Sequence, residues 1–294
     1  MIVDILLPCY GGFEYIQQSI RSILGQSSSA WRLVIVDDSP LPEAQRIEEW
    51  VRSLHDDRIF YTHNETNLGV NGNFRKCLTF VENELVTVMG ADDIMMPNYI
   101  QWLIESAQKH PDVSIFQPGV EVIDAGGNPS NTLVEKVKAA CRPKHEVTLS
   151  AESLALSLLR GNWLYFPSLG WRADMMLKHG FREGLEVILD LALVMDILLD
   201  GGALHYDPTL AFKYRRHAQA YSSQSAVDGS RFEEEYSFFS NLSTRFKAIG
   251  WPNAAITSKL HLYSRLHIVT MLPGSLLNKR WADAKTLVEY IVKW

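Results

Sequence analysis

The chain has 294 residues, 47% of them apolar and 21% charged, with a formal net charge of -6. That composition excludes a disordered or fibrous chain, and the acidic balance argues against a nucleic-acid binder, for which a basic face is expected. Its three cysteines, Cys9, Cys77 and Cys141, are widely separated and match no metal or disulfide spacing, as expected of a reducing compartment.

Ile2-Val-Asp-Ile-Leu-Leu7 reads as a first strand. It carries no basic leader, and Asp4 interrupts the apolar run, so no signal peptide is expected. No segment approaches the roughly 18 to 20 apolar residues needed to span a bilayer. The expected location is cytoplasmic, at most peripheral to the inner face of a membrane. Pro8-Cys-Tyr-Gly-Gly12 is a turn into a helix with apolar residues at Ile16, Ile20, Ile23 and Leu24. The Gly-Gly pair lacks the spacing of a dinucleotide fingerprint or a P-loop. Tyr10, at the strand's carboxyl end, could stack on a base or simply pack.

Trp31-Arg-Leu-Val-Ile-Val-Asp-Asp-Ser-Pro40 is a second strand ending in two carboxylates. A carboxylate accepts hydrogen bonds only, so Asp37 or Asp38 could read the N–H donors of a base; the alternative is an Asx turn before Pro40. A helix over Ala44 to Leu54 and a strand at Ile59-Phe-Tyr-Thr62 follow. The polar segment Asn64 to Lys76 then opens another helix and could wrap a ligand.

Leu85-Val-Thr-Val-Met89 is apolar or β-branched throughout, as a strand buried on both faces should be. It ends in Asp92 and Asp93. Ligands of open α/β sheets bind at that edge, and hard oxygen donors without nearby Cys or His suit Mg²⁺ or Mn²⁺ holding a phosphate. The competing reading is that one Asp caps the helix starting near Pro97.

That helix runs to about His110. The strand Val113 to Gln117 and a second segment, Gly119 to Asp124, come next. Ala125 to Lys144 reads as a mobile loop or insertion. A helix begins at Ser150, capped Ser-Ala-Glu-Ser, and runs to Leu159. Trp163, Tyr165, Phe166 and Trp171 form an aromatic-rich stretch suited to sugar rings or to core. Leu185 to Gly202 contains a helix apolar nearly all round, which must be deeply buried. Asp190, at its start, is either an N-cap or a rigidly held general base, and Asp196 lies on another face. Ala203 to Pro208 and Leu210 to Tyr214 suggest a last strand or hairpin leading to Arg215-Arg-His217, which could meet a diphosphate. Arg231 to Trp294 is helical in pattern, and Met271 to Trp281 within it suits an interfacial surface, a dimer contact or packing on the domain's own back.

Taken in order, Leu7-Pro-Cys-Tyr10, Val34-Ile-Val-Asp-Asp-Ser39, Asn67-Leu-Gly-Val70, Gly90-Ala-Asp-Asp-Ile-Met-Met-Pro97 and Tyr214-Arg-Arg-His217 resemble the family 2 glycosyltransferases. The resemblance covers about residues 1 to 225. It implies an α/β GT-A fold with a mostly parallel sheet, a nucleotide-binding half over about 1–97 and an acceptor-binding half over about 98–225, followed by a helical extension over 226–294. It also implies inverting transfer of one sugar from a nucleotide-diphosphate sugar, a UDP-sugar being expected, to a hydroxyl of a saccharide or lipid-linked acceptor, as in cell-surface polysaccharide synthesis. By position, Pro8, Tyr10 and Asp38 would hold the base, with Asp37 beside them, and Asp92 would touch the ribose. Asp93 would bind the divalent metal, Mn²⁺ or Mg²⁺, and Asp190 occupies the place of the catalytic base. His217, with Arg215 and Arg216, would close over the diphosphate or metal. Peripheral membrane contact and a homodimer through the C-terminal helices complete the expected partners.

The chain departs from that pattern at Gly90, where many relatives carry a leading Asp, and at Leu189, where an acidic residue is frequent. The Gln-x-x-Arg-Trp signature of processive polymerases is missing, which favours single-sugar addition. A sugar-phosphate nucleotidyltransferase would carry a Gly-x-Gly-Thr-Arg-like loop after the first strand. A glycoside hydrolase needs two carboxylates flanking the scissile bond, and a non-catalytic relative would bind nucleotide sugar or saccharide without turnover.

Overall fold

The computed structural model describes residues 1–216, 230–261 and 265. Strand β1 (Val3–Cys9) is buried at every position. Its Ile5 and Leu7 enter one apolar cluster and Leu6 another, as the two-residue period of a strand dictates. β2 (Trp31–Asp37) repeats the division, with Leu33 and Ile35 on one face and Val34 and Val36 on the other. Helices cover both faces, so neither strand has a polar side.

β1 and β2 are parallel to β3 (Ile59–His63) and β4 (Leu85–Val88), with α1 (Phe13–Leu24), α2 (Leu41–Ser53) and α3 (Gly69–Leu78) between them. There follow β5 (Ile94–Met95), α4 (Tyr99–Lys109), β6 (Ile115–Ile123), α5 (Leu133–Cys141), β7 (Val147–Ser150) and α6 (Ala151–Arg160). Next come β8 (Gly170–Arg172), α7 (Ala173–His179), α8 (Leu189–Leu199), β9 (Ala203–Arg215), α9 (Ser230–Ala248) and α10 (Pro252–Leu260). The sheet order is β3-β2-β1-β4-β8-β6-β9-β5, with β7 on β9. β8 runs antiparallel to both β4 and β6, and β6 and β9 are parallel, so the sheet is the mostly parallel one expected. The chain steps from β1 out to β2 and β3, then returns to β4 on the other side of β1. That reversal is a topological switch point, with a crevice at the strands' carboxyl ends.

Four local expectations are corrected. The two segments around Gly119 form one strand, β6, whose register against β9 shifts on either side of Gly119. A Cβ there would lie 2.4 Å from Pro208 O, so glycine lets the bulge close against β9. The suggested last hairpin is likewise one continuous strand, β9. Residues 125–144, read as a loop, contain α5, which buries Glu135. Ser150 sits at the N-cap of α6 without a side-chain capping bond; Glu152 instead accepts a hydrogen bond from Ala254 N at 2.9 Å.

In α8 every residue but Asp190 and Leu199 is buried. Its one buried charge, Asp196, is flanked by two guanidiniums: Arg182 donates from Nε at 2.6 Å and also from Nη2, and Arg245 of α9 donates from Nη1 at 2.8 Å. Phe238, Phe239, Leu242 and Phe246 of α9 share the apolar cluster of α6 and α8, so the described part of the C-terminal extension is helical and packs on the domain's own core. No helix among the described residues is long and apolar enough to cross a membrane. Met271 to Trp281 lies outside the described residues.

Candidate active site

Gly90 to Asp93 make a tight turn, Asp93 N donating to Gly90 O, between β4 and the two-residue β5. β5 pairs with Phe212 and Lys213 of β9, which brings the end of β9 beside the carboxylates. Asp93 is 1% exposed. Its Oδ1 accepts from Arg215 N at 2.7 Å, while its buried Oδ2 has no hydrogen-bond partner among the described residues. Burial, then the charge of Asp92, pushes the Asp93 carboxyl well above the usual range, and Arg215 only partly opposes them. A Cβ on Gly90 would stand 2.5 Å from Asp93 Oδ2 and 3.0 Å from Asp92 Oδ1. Two carboxylate oxygens thus share a hollow that only glycine leaves open, which accounts for the departure at position 90. A buried Asp93 Oδ2 without a partner among the described residues, beside a second hard oxygen from Asp92, is the donor set that a divalent cation fits. The capping alternative fails for both residues, because the N-cap of α4 is Asn98 and has no side-chain capping bond.

Arg215 comes to the site as a buried post. It is 2% exposed. Its Nε donates to Asp92 O at 2.7 Å, Nη1 to Asp124 O and Ala125 O at 3.2 and 3.1 Å, and Nη2 to Gln18 Oε1 at 2.9 Å. The guanidinium also lies 4.9 Å from the Tyr15 ring centroid. A side chain so committed fixes the carboxylate turn and the 124–128 turn to α1, whereas the family resemblance places it on the diphosphate. Arg216 is partly exposed, with Nε 2.9 Å from Glu135 Oε1 of α5. His217 lies outside the described residues.

The expected base-reading pair, Asp37 and Asp38, is held by protein partners. Asp37 is fully buried, its Oδ1 accepting from Ser39 N at 2.8 Å, the Asx turn, and its Oδ2 from Tyr61 Oη at 2.7 Å. Burial, then Asp37, raises the Tyr61 phenol, and the Cys9 thiol is raised for the same two reasons. Asp38 accepts from Asn64 Nδ2, Leu68 N and Gly69 N at 2.9 to 3.0 Å. The polar segment read as wrapping a ligand wraps Asp38 instead and starts α3 on it. Pro8 is buried in β1 opposite Val36. Tyr10 is 62% exposed at the rim, where the turn needs positive φ at Gly11 and Gly12 and Ser39 Oγ accepts from Gly11 N at 2.8 Å.

Asp190 is the second residue of α8 and half-buried, and its Oδ1 accepts from Leu191 N at 2.7 Å. It is not the cap. Glu234 of α9 instead holds the approach to the helix, accepting from Glu186 N, Val187 N and the N-cap Ile188 N at 2.9 Å each. From the other side, Asn71 Nδ2 of α3 donates to Arg182 O at 2.8 Å and to Leu185 O. Tyr214 joins the two halves: burial raises its phenol, and Asp93, Arg216, Asp92 and Asp190 all lie close enough to act on it electrostatically. Neither Glu234 nor Tyr214 was assigned a role from sequence. Tyr214 had a usable signal in its place beside Arg215, whereas Glu234 had none, standing 45 positions beyond Leu189, the start of the helix whose approach it holds.

A doubly wound sheet with a switch point beside β1, and paired carboxylates at the end of β4, define the GT-A class of fold. The chain belongs to glycosyl transferase family 2, whose sequence model matches residues 4–151, half of the chain. It is similar to EpsE of Bacillus subtilis (strain 168), named as a glycosyltransferase, with 26% identity over 125 residues, 42% of this chain and 45% of that one. It is also similar to WcaA of Escherichia coli (strain K12), named as a colanic acid biosynthesis glycosyl transferase, with 28% identity over 108 residues, 37% of this chain and 38% of that one. The matched stretch therefore spans less than half the length of these curated relatives. Among solved structures, S. aureus TarS 1-349 in complex with UDP-GlcNAc superposes with a TM-score of 0.73 at 15% identity, covering 99% of this chain and 79% of that one. The mannosyltransferase PcManGT from Pyrobaculum calidifontis, in complex with GDP-Man and Mn²⁺, gives 0.60 at 14%, covering 99% and 86%. At such identities the likeness is one of fold.

Proposed function

We propose that the chain is a metal-dependent, inverting glycosyltransferase moving one sugar from a UDP-sugar to a hydroxyl of a saccharide or lipid-linked saccharide, in a cytoplasmic step of cell-surface polysaccharide synthesis. The observation that carries this reading is the partnerless, buried Asp93 Oδ2 facing Asp92 Oδ1 across Gly90 at the switch point. Asp93 and Asp92 would hold Mn²⁺ or Mg²⁺, which when bound supplies charge stabilisation to a nucleoside diphosphate leaving group. Tyr10 offers an exposed ring to the base. Arg216, steered by Glu135, is the described guanidinium left to approach the diphosphate, while Arg215 holds the turn in register. Uridine is favoured by the TarS complex and a surface-polymer role by the WcaA likeness.

Asp190 is the base of this reading. A hydroxyl is too weak an acid to ionise beforehand, so the carboxylate takes its proton as the new bond to the anomeric carbon forms. Bond making on one face and departure of the diphosphate from the other give inversion. Asp190→Asn is expected to abolish transfer, a loss of at least about 100-fold, with nucleotide binding unchanged; near-normal turnover in that variant excludes Asp190. The reading as a whole is tested by thermal stabilisation with a panel of nucleoside diphosphates and nucleotide sugars, with and without Mn²⁺ or Mg²⁺. A metal-dependent rise with one nucleotide, lost in Asp93→Asn, supports it. No rise with any nucleotide in the presence of metal overturns it.

A further inference from the structure

At the opposite end of β9, about 30 Å from Arg215 along a strand of ten intervening steps, three segments distant in sequence meet. His110 ends α4, Glu146 immediately precedes β7, and His205 stands near the start of β9. His110 Nε2 lies 3.7 Å and His205 Nε2 3.5 Å from the same oxygen, Glu146 Oε1. The two imidazoles are stacked, with centroids 3.9 Å apart and planes at 28°. All three ligand atoms fall within 4.8 Å of one another.

We propose that His110, Glu146 and His205 form a binding site for a borderline divalent cation of the Zn²⁺ class, separate from the Asp92–Asp93 site. The spacing is the first argument. Ligands about 2.0–2.1 Å from a shared tetrahedral zinc stand roughly 3.3–3.4 Å apart, and the two histidine-to-glutamate separations need only a few tenths of an ångström to reach it. Unsatisfied donors are the second. His110 Nε2 is buried without a hydrogen-bond partner among the described residues, and His205 is 2% exposed. The third is ring orientation: Thr148, paired with His205 across β7 and β9, has Oγ1 2.9 Å from His205 Nδ1. With Thr148 accepting from Nδ1–H, Nε2 presents its lone pair to the cluster, the arrangement that outer hydrogen bonds give to metal-binding histidines.

Three ligand atoms this close, one of them a carboxylate oxygen, favour a cation among them. The charges around the cluster agree. Lys109 Nζ contacts Glu146 Oε1 at 2.8 Å, but both side chains are largely exposed, and such a pair is weak enough to be displaced. Asp207, held by Trp102 Nε1 and Thr209 N at 2.8 Å each, adds negative charge beside a cavity of about 390 Å³ lined by Trp102, Glu105 and Lys109. His110, Glu146 and His205 themselves line that cavity. Bound there, the cation ties α4, β7 and β9 together at the edge of the sheet remote from catalysis.

The test is equilibrium dialysis of the EDTA-treated full chain against Zn²⁺ alone, with Co²⁺ absorption reporting coordination and melting reporting the structural effect. One equivalent should bind and raise the melting midpoint. His110→Gln and His205→Gln should each weaken binding at least about 100-fold, and Thr148→Val roughly 10- to 100-fold. Lys109→Met should tighten it several-fold by releasing Glu146. Asp93→Asn should leave it unchanged, which separates this site from the nucleotide-linked one. If buried His205→Gln does not fold, the partly exposed His110→Gln decides alone. Absence of Zn²⁺ binding in the micromolar range, binding that survives in His110→Gln, or binding lost in Asp93→Asn each overturns the proposal.

Discussion

Replacing Glu234 by alanine should loosen the start of α8 without touching it directly. Two carboxylate oxygens accept three successive backbone N–H groups, of Glu186, Val187 and Ile188, each at 2.9 Å, and α8 has no side-chain cap of its own. Hydrogen bonds to charged groups contribute roughly 1.5–3 kcal/mol each, whereas losing a cap costs about 0.5–2 kcal/mol because water replaces part of what is removed. Three donors at a half-buried helix start place Glu234→Ala at about 2–3 kcal/mol. Glu234→Gln, which keeps one acceptor oxygen but loses the charge, should cost about 1–2 kcal/mol. Urea denaturation measures the loss, and hydrogen exchange should speed up at the amides of 186–188 first. Asp190 follows that segment by two residues, so kcat for sugar transfer should fall while KM for the donor holds. A stability loss under about 0.5 kcal/mol, with unchanged exchange at those amides, would refute the reasoning.

Gly90→Ala should abolish the metal-dependent thermal gain with nucleotide while the metal-free chain still folds, since its Cβ must displace Asp93 Oδ2 or Asp92 Oδ1; an unchanged gain argues against the shared hollow. Asp93 gives a pH signature. Its carboxyl is raised in the fold by burial and Asp92, so its contribution to metal-free stability is full below about pH 3.9, the unfolded value, and is lost as pH rises through the folded one. Wild type should therefore lose stability relative to Asp93→Asn as pH increases, and a difference that stays flat with pH contradicts this. Gly170→Ala would put a Cβ 2.2 Å from Leu103 Cδ1 in the core, an overpacking expected to cost about 1–3 kcal/mol by urea denaturation; a neutral result would mean that α4 shifts freely against β8.

The strands and the helices between them could be read because two-sided burial leaves a run of apolar or β-branched residues, and β1, β2 and β4 have one each. The carboxylates at the end of β4 were legible for the same reason. What the sequence hid was how each polar group is satisfied. Asp37 and Asp38 look identical as neighbours at a strand end, yet one closes an Asx turn and the other starts a helix at Leu68 and Gly69. Arg215 and Arg216 differ as sharply, because alternation at the end of β9 turns one inward among four acceptors and leaves the other at the rim. Apart from the Asx turn that Asp37 closes on Ser39, both contrasts arise from partners far off in the sequence. α5 was missed because its short amphipathic pattern is embedded among glycine, proline and mixed charge, and its one buried acid, Glu135, finds its cation in Arg216.

The pairing of Asp196 with Arg182 and Arg245 bears on how such chains can be recombined. The stretch that carries the family signature ends at residue 151, but the helix bearing Asp190 is braced by Arg245 and Glu234, far beyond it. A graft ending at residue 225 would leave a buried carboxylate with half its cations, the approach to α8 unheld and the apolar seat of Phe238, Phe239 and Phe246 open to water. The heritable unit here is therefore larger than the recognisable one, and any donor of a new C-terminal half must bring a carboxylate and a guanidinium to the same two places.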